Sequence, residues 1–355
     1  MDMNGQEEYG RYDHELAARS VEVAVRCQRF EGGVHWDVPV RFALLTALQV
    51  LGIELPRLDG DAARALRADG LQLVVGALAQ RKGASTSRRS PVRCFVWGYA
   101  LDTMVVGAGT TVTTPVCTWV MMAPWLSFDE LVLLGWAILR RKTLHPKVCV
   151  QDFIDFLDAV EASAAKASRE RRDGARRYTP RLPRGFGACR RAVVLLGSGT
   201  DSRQEARFIL ALLCHGLPMP ERNVAMKAWD GSVFSLDAAY KAAKLAMEYD
   251  GTFHSGQWEE DAERRALIEE SGWTFIQVTK GMLDDPGKLM RLLGRIARIL
   301  ADRTGIHYHV GKPVTYWQLS DERHRAWREH GNVRHPGASG DFGELELSDE
   351  WLESA

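Results

Sequence analysis

Lys244–His254 reads KLAMEYDGTFH, and this stretch decides how the second half of the chain is interpreted. Side chains on a β-strand alternate between the two faces of a sheet. One face of this stretch is apolar and suited to a core, with Leu245, Met247 and Tyr249. The other face carries Lys244, Ala246, Glu248 and Asp250, and Gly251 and His254 follow. The pattern predicts a strand that ends in two neighbouring carboxylates.

Neighbouring carboxylates repel each other unless a cation or a proton lies between them. Carboxylate oxygens are also the ligands that Mg²⁺ prefers in proteins. Asp237 closes an earlier apolar run, GSVFSLD, and would supply a third carboxylate. The three acids therefore predict a divalent cation site of the kind found in metal-dependent hydrolases.

Other motifs follow one another in order between Ser202 and Leu300. They are S-x-x-E at Ser202–Glu205, G-L-P-x-P at Gly216–Pro220, Asp237, E-x-D-G-x-x-H at Glu248–His254, D-x-x-R at Asp261–Arg264, and Gly272-Trp273 before an apolar strand. In this order the motifs resemble the very-short-patch-repair-like endonuclease family, a branch of the PD-(D/E)XK nuclease fold. The resemblance covers roughly a hundred residues and is more specific for the fold than for activity, since a fold does not fix a function.

The resemblance implies an α/β fold class. A C-terminal restriction-endonuclease-like α/β/α domain with a mixed central sheet would follow a smaller α+β domain. It implies Mg²⁺ (or Mn²⁺) as cofactor, held by Asp237, Glu248 and Asp250. The implied catalytic residues are Glu205, Asp237, Glu248, Asp250 and His254. Asp250 stands where the wider superfamily has lysine, and Lys244 lies about 13 Å from Glu248 along a strand, too far to replace it.

The chain has no net charge, yet its basic residues are concentrated. Between Lys166 and Arg191 there are ten Lys and Arg residues against Glu170 and Asp173. Segregated positive charge is typical of a phosphate-binding surface, although a solvated linker would have the same composition. The candidate nucleic-acid-binding residues are Arg169, Arg171, Arg172, Arg176, Arg177 and, from the D-x-x-R motif, Arg264.

The N-terminal half contains GTTVTTPVCTWVMMAPWLSFDELVLLGWAILRR, Gly109–Arg141. This run resembles a segment of AbiEi-type antitoxin-like proteins, which implies a protein partner for this half. Cys117 and Met121 stand where that family has Arg and Asp. The resemblance therefore does not extend to those polar positions.

The chain length and the positions of proline- and glycine-rich stretches predict five segments. They are a partly mobile N-terminal segment without clear periodicity (1–35), an α+β antitoxin-like domain (36–148), a helix and basic linker (149–200), a nuclease-like domain (201–303) and a tail (304–355). In the nuclease-like domain we expect strands at 232–237, 244–250 and 274–279 and helices at 258–271 and 285–302. No run is long enough for a transmembrane helix, and the six cysteines show no metal or disulfide spacing. A cytoplasmic protein without membrane attachment is expected.

Each candidate also has a structural interpretation. Ser202 and Glu205 fit a helix capping box, Asp237 could cap a turn, and Asp261 and Arg264 could form only an i,i+3 ion pair. The favoured function is Mg²⁺-dependent endonuclease cleavage of nucleic acid, with DNA as the expected substrate. The alternatives are a DNA-binding, antitoxin-like regulator with a degenerate nuclease fold, and a protein-interaction module. Carboxylates paired with arginine would favour one of these alternatives.

Overall fold

A computed structural model describes residues 5–33, 38–66, 69–77, 80, 92–107, 109–170, 181–250 and 258–333. The chain contains both helices and mixed sheets, so it belongs to the general α/β class. It separates into two compact units between Asp201 and Ser202. Within the described ranges, none of the helices combines the length and apolar character that a membrane crossing needs.

The first unit combines helices with short strands. Its helices are α1 (Gly5–Gly32), α2 (Leu44–Val50), α3 (Gly60–Leu66), α4 (Pro115–Met122), α5 (Phe128–Ile138), α6 (Val150–Glu170) and α7 (Phe186–Ala192). Its strands are β1 (Leu71–Val75), β2 (Val92–Val96), β3 (Thr103–Val106) and β4 (Thr110–Thr113). Ser127 caps α5, because the Ser127 hydroxyl accepts the Glu130 N–H.

Phe42 joins the strand pairs of this unit. β1 and β2 pair in parallel and β3 and β4 antiparallel. Phe42, fully buried, bridges to Leu73 of β1 on one side and to Val112 of β4 on the other. Arg41 and Phe42 are therefore engaged as an extended segment between two strands, and the following helix begins at Leu44.

The N-terminal segment differs from its expectation. Gly5–Gly32 form a helix of 28 residues, although the sequence there shows no clear periodicity. It packs through a narrow seam that includes the buried residues Val23 and Cys27, while Val21 and Val25 are exposed. The Ser20 hydroxyl also donates to the Val50 carbonyl of α2. So few apolar positions produce no visible periodicity, which is why the sequence did not predict this helix.

Part of the expected basic linker also belongs to the first unit. Phe186 and Cys189 of α7 are buried. Arg190 donates to Asp158 and Glu161 of α6, and its guanidinium lies over the Phe186 ring. At least this arginine is neutralised by the protein itself.

The second unit contains a mixed four-stranded sheet in the order β5-β6-β7-β8. The strands are β5 (Glu221–Lys227), β6 (Val233–Tyr240), β7 (Leu245–Asp250) and β8 (Thr274–Thr279). The helices are α8 (Arg203–Cys214), α9 (Trp258–Glu270), α10 (Lys280–Asp284), α11 (Pro286–Thr304), α12 (Tyr316–Leu319) and α13 (Arg325–His330). β7 and β8 are parallel, whereas the other pairs are antiparallel.

Side chains of β7 point alternately to the two faces of the sheet, and each face has its own core cluster. Leu245 and Met247 pack with residues of α8 and α11, including Phe208 and Leu293. Ala246 packs on the other side with Ile268 of α9 and its neighbours. The predicted strands and the two predicted helices are confirmed, with ends shifted by a few residues, but β5 was not predicted. Lys244 precedes the strand in a left-handed conformation (φ 44°), so it does not share the Glu248 face.

Residues 304–333, the described part of the expected C-terminal tail, pack onto the G-L-P turn after α8. Trp327 Nε1 donates to the Leu213 carbonyl, and the Asn332 N–H donates to the Gly216 carbonyl. Gly216 has φ 95°, and a Cβ built there would lie 2.5 Å from the His309 carbonyl oxygen. The glycine allows the later segment to lie directly against the turn.

Replacing Gly216 tests this close approach. We expect Gly216→Ala to lower the free energy of unfolding by about 3 kcal/mol, because a left-handed alanine costs about 1–2 kcal/mol and the clash with backbone adds to it. Gly305→Ala is the matched control, since Gly305 also has positive φ (71°) but its Cβ would meet nothing within 4 Å. Urea denaturation of both variants measures the difference. Equal losses for the two variants would contradict the close approach.

Candidate functional site

The candidate site is built where β6 and β7 separate. Their ladder ends at the pair Ala238 and Met247. One residue further, the Asp237 carboxylate takes the place of a ladder carbonyl, because its Oδ2 accepts the Tyr249 N–H (3.0 Å). Leu236 and Ala238 lie in opposite core clusters although they are two residues apart. The strand therefore changes phase at Asp237 and brings that carboxylate next to β7.

Glu205 approaches the same place from α8. Ser202 caps the helix by accepting the Glu205 N–H (3.1 Å), as the capping interpretation predicts. The Glu205 side chain is nevertheless buried, and its charge acts on the Asp237 carboxyl. A residue needed only for capping would not have to be buried beside another acid. Glu205 therefore takes part in the N-terminal cap of α8 and also lies buried beside Asp237.

Glu248 is held by Arg264 of α9. Arg264 Nη1 donates to Glu248 Oε2 and Nη2 donates to Oε1, both at 2.7 Å, which makes a bidentate pair. Nη2 also donates to the Ser235 carbonyl (2.9 Å), and the guanidinium lies 5.6 Å from the centre of the Phe234 ring. Arg264 therefore binds Glu248 and does not form the i,i+3 ion pair with Asp261 that the sequence allowed.

The pKa of Asp237 reflects its burial beside Glu205 and Glu248. Burial raises the pKa of Asp237 well above its usual value, and the charges of Glu205 and Glu248 raise it further. The Tyr249 N–H and the Arg264 charge act in the opposite direction and do not compensate. Three acidic side chains, those of Glu205, Asp237 and Glu248, therefore act on one another at this place. A proton or a cation beside Asp237 would lower their mutual repulsion.

Several predicted site residues lie outside the described residues. The backbone of Asp250 ends β7, but its side chain is not described, and neither is any part of His254. The same holds for Arg171, Arg172, Arg176 and Arg177. Arg169 lies in the last turn of α6 and is exposed. Of the predicted catalytic set, the described side chains brought together are those of Glu205, Asp237 and Glu248.

A metal site is not complete within the described part of the chain. No group of three or more His, Cys, Asp and Glu side chains there is arranged to hold a metal ion. The oxygen donors suit a divalent cation chemically, but both Glu248 oxygens are taken by Arg264. The predicted ligand Asp250 would have to contribute the missing donor.

Two features of the site were not predicted from the sequence. The first is the arginine on Glu248. The second is Gln277, which faces Glu248 across the parallel β7–β8 ladder, as Thr279 faces Asp250. Aligning LAMEYD with TFIQVT as parallel neighbours would have identified Gln277, since both strands were predicted.

Comparison with known proteins gives distant relatives without an assigned activity. The chain is 33% identical over 121 residues to the uncharacterized proteins MT2308 and Rv2248 of two Mycobacterium tuberculosis strains. The alignment covers 33% of this chain and 44% of each relative, so the chain spans less than half of their length. No protein-family model matches the chain. No solved structure matches it either.

Removing the arginine tests the charge balance of the site. We expect Arg264→Gln, without added metal, to lower the free energy of unfolding by about 2–3 kcal/mol, because Glu248 would remain partly buried beside Asp237 without its counter-charge. Glu248→Gln should cost less, since it relieves the repulsion on Asp237. Urea denaturation in EDTA compares them. A stable Arg264→Gln protein with a destabilised Glu248→Gln protein would refute this assignment.

The raised pKa of Asp237 predicts a pH dependence. A folded-state pKa above the unfolded value means that the folded protein binds more protons, so this contribution to stability is complete at acid pH and is lost as the pH rises through the folded pKa. We expect wild type to lose stability relative to Asp237→Asn as the pH rises from 4 towards neutrality and beyond in EDTA. Denaturant melts of both proteins across this range measure the difference. A difference that stays constant with pH would contradict the assignment.

Proposed function

We propose that the second unit is a restriction-endonuclease-like α/β/α domain that hydrolyses phosphodiester bonds in nucleic acid, with DNA as the expected substrate. Support comes from the mixed sheet between α8 and α11 on one face and α9 on the other. The ordered motifs from Ser202 to Trp273 agree with this fold.

The observation that carries the proposal is the convergence of Glu205, Asp237 and Glu248 from three different elements. Placing acids together has a cost in stability, because their charges repel. A fold that only needed to be stable would gain from apolar residues at these positions. Concentrated carboxylates with perturbed pKa values are typical of functional sites, although structural networks also produce them.

A divalent cation is the proposed cofactor, Mg²⁺ or Mn²⁺. Asp237, Glu248 and the strand-end residue Asp250 would hold it, and their oxygens match its preference. When bound, such a cation polarises a scissile phosphate and makes an attacking water more acidic. The Arg264 guanidinium now supplies positive charge on Glu248, and it would have to release at least one Glu248 oxygen to the cation.

The proposed roles of Glu205 and Tyr249 follow from their placement, whereas that of His254 follows from the sequence pattern alone. Glu205, buried beside Asp237, would add negative charge and orient the Asp237 carboxyl. The Tyr249 N–H fixes one oxygen of Asp237 and leaves Oδ1 for another partner. His254 is proposed as general acid or base because its ordinary pKa lies near neutral pH.

A second function is favoured by the pair of Arg264 and Glu248. An arginine that permanently occupies a carboxylate needed for a cation would leave a nuclease fold that binds nucleic acid without cutting it. This is the DNA-binding, antitoxin-like alternative. The first unit would then provide contacts to a protein partner. The two functions differ in one measurable property, which is cleavage that depends on added metal.

Metal-dependent cleavage of DNA distinguishes the two proposed functions. We expect the purified chain to nick supercoiled plasmid with Mg²⁺ or Mn²⁺ and not with EDTA. Asp237→Asn or Glu248→Gln should abolish nicking, because each removes one charge from the cation site with almost no change in volume. Agarose electrophoresis of the relaxed product measures the activity. Asp261→Asn, at an exposed position of α9, is the control that should keep it.

Unchanged nicking by either variant would remove that residue from the mechanism. No nicking by wild type with either metal, together with retained DNA binding, would favour the non-cleaving function. In that case Arg264→Gln provides a further comparison, because it frees both Glu248 oxygens.

A further inference from the structure

Helix α11 is basic on the side that faces away from the core. Its buried residues are Leu292, Leu293, Ile296 and Leu300. The opposite side carries Lys288, Arg291, Arg295 and Arg298, all exposed. Steps of three, four and three residues place these four on one face of a helix. We call this set the basic stripe.

The basic stripe has few acidic neighbours among the described residues. None of its four members forms an ion pair there, the N-cap residue Asp285 lies close enough to interact with Lys288 and Arg291, and Asp302 follows Arg298 by one helical turn. Other exposed arginines of the same unit do have carboxylate partners, among them Arg265 with Glu269. The positive charge of the stripe is therefore available to an external anion.

Like charges three or four residues apart destabilise a helix by a few tenths of a kcal/mol per pair. The basic stripe contains several such pairs and lacks interleaved acids. This arrangement is disfavoured in isolation and becomes favourable when an anion with regularly spaced charges lies along the helix.

The basic stripe begins near the candidate site. β7 and β8 are parallel, so their carboxyl ends lie at the same edge of the sheet. β8 leads directly into α10 and then into the first turn of α11. Arg207 of α8, two residues after Glu205, pairs with Asp284 at the end of α10 (2.9 Å). The Lys288 end of the stripe is thus on the side of the carboxylates.

We propose that the basic stripe binds the phosphodiester backbone of a nucleic-acid duplex and leads it to the carboxylate site. The identity of the partner rests on the proposed function. From Lys288 to Arg298 the helix advances about 15 Å, which corresponds to about four phosphates of one strand at about 3.4 Å each. Such contacts position the duplex without reading its sequence.

Salt-dependent binding tests the basic stripe. The triple variant Arg291→Gln, Arg295→Gln, Arg298→Gln keeps good helix formers. The matched control, Arg265→Gln, Arg323→Gln, Arg325→Gln, removes the same charge from exposed positions of this unit that already have acidic partners. Fluorescence anisotropy with a labelled DNA duplex is measured in EDTA over a series of salt concentrations, using the full chain.

We expect the log–log salt slope of the stripe variant to be shallower by about 2–3 units, near 0.9 for each phosphate that the variant no longer neutralises. The control should keep the wild-type slope to within about one unit. Because EDTA prevents metal-dependent cleavage, this result does not depend on whether the chain cuts DNA. Failure of the plasmid assay alone therefore leaves the binding result intact.

Three outcomes would overturn the proposal. The first is a stripe variant with the slope and affinity of wild type. The second is an equal change in both triple variants, which would indicate net charge alone. The third is a stripe variant that loses adsorption to phosphatidylserine vesicles while its DNA binding is unchanged, which would assign the stripe to an anionic membrane surface.

Discussion

The hydrogen bond from the Tyr249 N–H to the Asp237 carboxylate is the constraint on which the candidate site depends. It ends the β6–β7 ladder with a side chain in place of a backbone carbonyl, so the two strands can separate without leaving that N–H unpaired. The separation places the Asp237 carboxyl close to Glu248 and to Glu205. If a backbone carbonyl of β6 accepted the Tyr249 N–H instead of the Asp237 carboxylate, we would expect regular pairing to continue past Asp237.

The cost of that arrangement is electrostatic, and Arg264 offsets part of it. A bidentate guanidinium neutralises Glu248 but leaves Asp237 with a raised pKa. The site can therefore exist in more than one state, with a proton on Asp237, with a cation, or with arginine as the permanent counter-ion. Under the proposed function, the counter-ion that the site holds would decide between cleavage of nucleic acid and binding alone.

Elements with a regular apolar pattern could be predicted from the sequence, whereas contacts between distant residues could not. LAMEYD has a strict two-residue alternation, so its strand and the apolar face of Leu245 and Met247 followed from the sequence, whereas the second core cluster around Ala246 did not. The apolar period of α11 was equally clear. The Arg264–Glu248 pair joins residues sixteen positions apart on different elements, and only the packing of α9 on the sheet brings them together. α1 was missed because a helix held by a few buried residues has no broad apolar face. β5 was missed because as an edge strand it buries few side chains.

The segment after residue 303 bears on where the folded unit ends. It supplies N–H groups to carbonyls at the end of α8, from Val314 to Cys214 and from Asn332 to Gly216, and Trp327 covers the same turn. A fragment cut after α11, at the predicted end of the nuclease-like domain, would expose these carbonyls and the left-handed glycine to water. The predicted boundary is thus shorter than the boundary set by packing. The turn that carries G-L-P-x-P is held in its shape by residues about a hundred positions later in the chain.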